Sequence, residues 1–108
     1  VKTPQRGEVW LVDLGLAAKI RPCVVFSVPI QGEERSLITL IPHTTAVRDS
    51  RFEAAVNVRA LRPGAFDAQG IVTVPTVRLV RPITTLTTDQ MQTVETHVCA
   101  WLGIDRKD

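Results

Sequence analysis

The stretch LTTDQMQTVETHVCAWLG, Leu86 to Gly103, is where the chain changes its periodicity. From Met91 the apolar residues recur at Val94, Val98, Trp101 and Leu102, which is one face of a helix. Thr87 with Gln90 three positions on has the spacing of a capping box, and Leu86 is placed to staple onto Met91. Gly103 supplies the stop. A helix with a single apolar stripe packs on a sheet rather than being enclosed by core. The residues before it must therefore supply that sheet.

Upstream, short runs of strand formers alternate with polar breakers. GEVWLVDL (Gly7–Leu14) reads as a first strand and RPCVVFSVP (Arg21–Pro29) as a second. In the second, Pro22 pushes Arg21 towards an extended backbone, so the ladder effectively starts there. SLITLIP (Ser36–Pro42) reads as a third strand ended by its proline, HTTAVRDS (His43–Ser50) as a polar loop, and RFEAAVNV (Arg51–Val58) as a fourth strand. RPGAFDAQG (Arg62–Gly70) is a turn-rich connector. IVTVPTVRLV (Ile71–Val80) reads as one or two short strands, with Pro75 marking an edge, a bulge or a break. About five short strands followed by one amphipathic helix predict a mainly β fold, a small bent antiparallel sheet or partly open barrel with the C-terminal helix over an open side.

A length of 108 residues fits one domain, taken as 1–108, and can bury a core without disulfides or a structural metal. Hydrophobic residues at 44% and charged residues at 22% argue against disorder. The net charge of +2 is compatible with a polyanionic partner without requiring one. The two cysteines, Cys23 and Cys99, lie far apart in apolar patterns and read as buried thiols. The N-terminal residues carry no signal-like apolar run, and no segment is long and apolar enough for a membrane helix. The expectation is a reduced, cytoplasmic protein with no membrane contact.

No paired metal-ligand spacing, Walker loop or dinucleotide loop is present, so neither a metal nor a cofactor is expected. Ser27, Ser36 and Ser50 sit in no nucleophile-elbow context. What remains is a polar and cationic set at strand ends, comprising Lys19, Arg21, His43, Thr44, Thr45, Arg48 and Arg51. An arginine fork matches phosphate oxygens, so one reading is a phosphate-binding groove. The other is a solvated barrel rim, and spacing alone leaves both open.

The ordered set RGEVWLVDL, RPCVVFSV, PHTT and GIVTVPTVRLV resembles the MazF/PemK (Kid) family of toxin–antitoxin toxins, from about Arg6 to Leu102. The resemblance implies an SH3-like barrel with a C-terminal helix, a homodimer, and a cognate antitoxin partner. It also implies a metal-independent endoribonuclease acting on single-stranded RNA, with Arg21 and Thr44 as catalytic residues. Because the RNA 2′-OH is the nucleophile, such a site needs in-line placement, charge stabilisation and proton transfer only. Arginine stays protonated near neutrality and makes a poor base. His43, beside Thr44, is a candidate general base, or else a loop-end histidine in solvent. Lys19, Thr45, Arg48, Arg51 and Arg78 are candidate RNA contacts, each with a plain solvated or interface role as its alternative. Glu8 and Asp13 can orient arginines or be structural; Trp10 reads as core and His97 as a helix-packing residue.

Two features depart from the family pattern. LGLAAKI, between Asp13 and Arg21, is short, and Thr73 and Pro75 stand where some relatives carry a catalytic Arg and Asp. Two other functions compete with RNA cleavage. One is a CcdB-like toxin that binds gyrase, to which Trp101–Ile104 bears a superficial likeness; the other is a catalytically degenerate member that retains antitoxin binding.

Overall fold

The computed structural model describes residues 3–15 and 19–105. Seven strands are connected antiparallel, and one helix follows them. The strands are β1 (Glu8–Asp13), β2 (Ile20–Val25), β3 (Leu37–Thr44), β4 (Glu53–Ala54), β5 (Ala65–Asp67), β6 (Val72–Pro75) and β7 (Leu79–Thr85), with α1 spanning Thr88–Leu102. Their order is β4-β5-β3-β2-β1-β7, with β6 also on β3, and the sheet is not closed into a barrel.

β3 organises the sheet because both its edges are used. One edge pairs with β2 from Cys23↔Pro42 to Val25↔Leu40. The other is divided: Leu37–Leu40 pair with β6, and His43 and Thr44 pair with β5. Ile41 and Pro42 fall in the gap between those two partners. The strand therefore runs through Pro42 instead of ending there. Phe26 N–H donates to Thr39 O at 2.9 Å, and alternating from that bonded pair makes Cys23↔Pro42 a non-bonded pair. The missing N–H of Pro42 consequently faces the gap, where no strand would receive it.

Apolar residues fill both faces of the bent sheet. Val9, Val24, Ile41, Ala54 and Phe66 pack with Leu86, Met91, Val94 and Val98 under the helix. On the opposite face Trp10, Val12, Cys23, Val25, Ile38 and Leu40 make a second core. The helix buries Met91, Val94 and Val98 as the stripe requires, whereas Trp101 and Leu102 at its end stay 40% and 48% exposed. Trp101 stacks T-shaped on Phe52 at 5.1 Å.

The expected strand over Arg51–Val58 shrinks to Glu53–Ala54, and the turn-rich connector contains β5. Short clasps recur where the chain turns. The N–H of residue i donates to the carboxylate or amide oxygen of residue i+3 at Gln5–Glu8, Gln31–Glu34, Ser50–Glu53 and Thr87–Gln90. At the last of these Gln90 N also donates to Thr87 Oγ1 at 3.1 Å, completing the capping box, and Gly103 ends the helix in the left-handed region at φ 70°.

Losing one cap hydrogen bond should be measurable. Thr87→Ala is expected to lower stability by about 1 kcal/mol, read from urea denaturation midpoints, with the strand core unchanged.

Candidate active-site groove

Pro22 faces β3 in the same alternation that turns Pro42 away from β2. Carrying the register one position beyond Cys23↔Pro42 sets Pro22 opposite His43 in what would be a bonded pair, and proline has no N–H to give. The printed ladder stops at Cys23↔Pro42. One further position would place Arg21 across from Thr44, where the strands are no longer tied. A groove of about 400 Å3 opens there, lined by Arg21, His43, Thr44 and Arg48 on one part and by Ser50, Glu53, Asp67 and Gln69 on another.

Each side chain of this groove has a local reason for its position. Arg21 is an exposed β2 residue paired to the fully buried Val12 of β1, so its base is rigid while its fork reaches solvent. Thr44 Oγ1 accepts the N–H of Ala46 at 3.0 Å, which orients the hydroxyl and leaves its proton free to be donated. His43 is a strand residue rather than a solvated loop residue. It is 5% exposed and sets its ring edge-on to Phe66 with centroids 5.1 Å apart. Burial holds its pKa below the usual histidine value of 6.5, so at neutral pH the ring is uncharged and can accept a proton.

The loop from β3 to β4 is gathered by Glu53. Its carboxylate accepts Arg48 N–H at 3.0 and 3.1 Å and Ser50 N–H at 2.8 Å. Those N–H groups, Ser50 first, hold the Glu53 carboxyl below the usual carboxylate range. Asp49 adopts φ 56° inside the loop, a conformation Asp tolerates. This bend keeps Arg48 against the groove.

Other expected contacts lie elsewhere. Arg51 places its guanidinium over Phe52 at 4.5 Å, on the helix side. Arg78, in the turn between β6 and β7, faces Asp13 at 3.9 Å, a half-exposed pair of small energetic value. Lys19 is exposed at φ 61° and its N–H donates to Gly15 O, closing the β1–β2 connection. Thr45 is exposed between two groove residues but does not line the groove. The centre of the short segment expected to depart from the family pattern, residues 16–18, lies outside the described residues.

Glu8 is buried and accepts from the Trp10 indole at 3.0 Å, and Trp10 is core. Asp13 does face an arginine. His97 bonds back to Thr93 O within the helix. Cys23 Sγ donates to Arg21 O at 3.6 Å, and burial raises its thiol to about 12 against the pull of the Arg21 cation, so it remains S–H and no nucleophile. Among the described residues no three His, Cys, Asp or Glu side chains gather as a metal-ligand set, and no helix is long and apolar enough to cross a membrane.

Glu53, Asp67, Gln69 and Gly64 were not singled out by the sequence reading. Glu53 had a legible signal, because Ser50-x-x-Glu53 repeats the capping-box spacing. Gly64 had none: its backbone passes so close to β3 that a Cβ would strike the Thr44 carbonyl oxygen and approach His43 Cε1 at 2.8 Å.

Residues 5–102 match the family profile described as the PemK-like, MazF-like toxin of type II toxin–antitoxin systems. No curated relative matches the chain. Among solved structures, an endoribonuclease in complex with its cognate antitoxin from a mycobacterial species superposes with TM-score 0.79 at 20% identity, covering 99% of this chain and 100% of that one. The Mycobacterium tuberculosis toxin MazF-mt6 gives 0.75 at 23% identity, covering 92% and 99%. A MazE–MazF structure from Deinococcus radiodurans gives 0.79 at 17% identity, covering 97% and 100%.

The close approach at Gly64 predicts that Gly64→Ala displaces the end of β3. The expected cost is about 1–3 kcal/mol, measured by chemical denaturation, with the His43 ring resonances shifted in NMR spectra.

Proposed function

The chain belongs to the PemK-like, MazF-like family of type II toxins, and on that premise we propose that its groove is the active site of a metal-independent endoribonuclease acting on single-stranded RNA. The observation that carries this reading is the convergence of Arg21, Thr44, His43 and Arg48 on one groove at the point where the β2–β3 ladder ends.

The chemistry is transesterification. The ribose 2′-oxygen attacks the adjacent phosphorus and the P–O5′ bond breaks, leaving a 2′,3′-cyclic phosphate and a 5′-hydroxyl. The 2′-OH proton passes to the neutral His43 ring, and the departing 5′-oxygen takes a proton from water. Arg21 neutralises the charge that builds on the non-bridging oxygens, an interaction strongest in the transition state. Thr44 donates its hydroxyl proton to the phosphate and fixes its orientation. Arg48 holds a flanking phosphate, and Lys19, Thr45, Arg51 and Arg78 lie along outer paths of the RNA.

The protein acts as a homodimer and is silenced by a cognate antitoxin. Pairing of two copies is supported by the face opposite the helix, where Val28, Val77 and Val80 are 71%, 87% and 51% exposed around an apolar hollow reaching Trp10. An apolar surface of this kind marks an interface. Antitoxin binding is supported by the antitoxin complexes of the mycobacterial and Deinococcus structures.

Arg21→Ala is expected to slow single-turnover cleavage of a defined RNA by at least ~10²-fold, with Arg21→Lys recovering little. Thr44→Val should also slow cleavage, and both variants should melt within about 0.5 kcal/mol of the parent because the changed side chains lie outside the core. Cleavage should continue in EDTA. Undiminished cleavage by Arg21→Ala would remove Arg21 from the catalytic machinery, whereas no cleavage by the parent protein would favour a toxin that binds its target without cutting RNA.

The pH dependence has a definite sign. His43 must be unprotonated to act as base, so kcat/KM should rise with pH through a pKa below 6.5 and then level off. His43→Gln should remove that acid limb; a limb retained in the variant would assign proton transfer to another group.

A further inference from the structure

Glu53 and Asp67 stand directly opposite each other across the β4–β5 pair, and both line the cationic groove. Two carboxylates facing across a ladder repel each other, and either would repel a bound phosphate chain. Their hydrogen bonds separate their roles. Both Glu53 oxygens are engaged by the N–H groups of Arg48 and Ser50, so this carboxylate serves the loop. Asp67 Oδ1 accepts Gln69 N–H at 3.0 Å and caps the short 3-10 turn Ala68–Gly70. Its Oδ2 makes no hydrogen bond among the described residues, and neither does the exposed side-chain amide of Gln69.

A carboxylate beside an RNA track can accept from the ribose 2′-OH or from the donor edge of a base, and only the base edge carries sequence information. An ionised carboxylate only accepts. Uracil offers a single N–H flanked by two carbonyls, each of which would face the carboxylate unfavourably. Cytosine, adenine and guanine each present an exocyclic amino group. Unpaired bases are read on such edges when splayed from a single strand, and the Gln69 amide can donate to a neighbouring ring nitrogen or carbonyl.

Resting on the RNA-cleaving reading of the groove, we propose that Asp67, with Gln69, reads a base next to the phosphates held by Arg21 and Arg48, selecting one with an exocyclic amino group and rejecting uracil. Arg21, Thr44 and Arg48 then handle the backbone, which carries no sequence information, and the 3-10 turn supplies the selectivity.

The test uses short 2′-fluoro oligonucleotides of cytosine only and of uracil only, which lack the 2′-OH nucleophile and are nearly isosteric in base shape. Fluorescence anisotropy should show the intact protein binding the cytosine strand about tenfold more tightly than the uracil strand. Asp67→Asn keeps a side-chain oxygen to accept Gln69 N–H, so the turn is retained, yet it can also donate to a uracil carbonyl. It should bring the two affinities together. Equal affinities in the parent protein, or a cytosine preference that survives Asp67→Asn, would overturn the proposal. In either case salt-sensitive binding of both strands would leave the RNA groove standing. Failure of the parent protein to bind either strand would remove the RNA groove and the base reader together.

Discussion

The two prolines flanking the β2–β3 ladder control where this sheet comes apart. Pro42 points its missing N–H into the gap between β5 and β6, so β3 continues past it at no cost in hydrogen bonds. Pro22 points its missing N–H at β3, so the ladder cannot continue past Cys23↔Pro42. The strands separate one residue later, and the first side chains beyond that point are Arg21 and Thr44. An arginine and a hydroxyl are thus presented to one groove at a strand end where the β2–β3 ladder has stopped.

The rest of the site depends on this opening being held on its other side. β5 takes over the edge of β3 at His43 and Thr44, and the close passage of Gly64 lets it sit against them. Phe66 then packs on the His43 ring and keeps it out of water. Burial disfavours the imidazolium and keeps the ring uncharged. The core under the helix and the neutral ring in the groove are in this way joined through one contact, Phe66 on His43.

Charge is distributed in the groove by hydrogen bonding more than by composition. A net charge of +2 is small for a polyanion binder, and the groove itself includes two carboxylates. Glu53 is committed to main-chain N–H groups and shapes the loop that carries Arg48. Arg21 and Arg48 line the groove as cations, while Asp67 keeps one carboxylate oxygen without a hydrogen bond among the described residues. Specific recognition needs both kinds of group, because cations alone bind any sequence equally.

Much of this was legible in the sequence by itself. The capping box at Thr87 and Gln90, the stripe of Met91, Val94 and Val98, and the left-handed stop at Gly103 are local patterns, and local patterns survive folding. Period-two runs located β1, β2 and β3, and the Arg-Pro and Pro-His-Thr-Thr segments singled out Arg21 and Thr44, which the fold brings to one groove. Tertiary structure alone decided the remainder. β4 and β5 are too short, at two and three residues, to carry a period, and their pairing depends on β3 rather than on their own residues. His43 looks like a loop histidine until a strand from twenty-odd residues downstream buries it. Arg51 looks equivalent to Arg48 until one stacks on Phe52 and the other is drawn to the groove by Glu53. Asp67 gains meaning only from standing opposite Glu53, since a residue's role in a groove is set by partners distant in the chain, and sequence order does not record them.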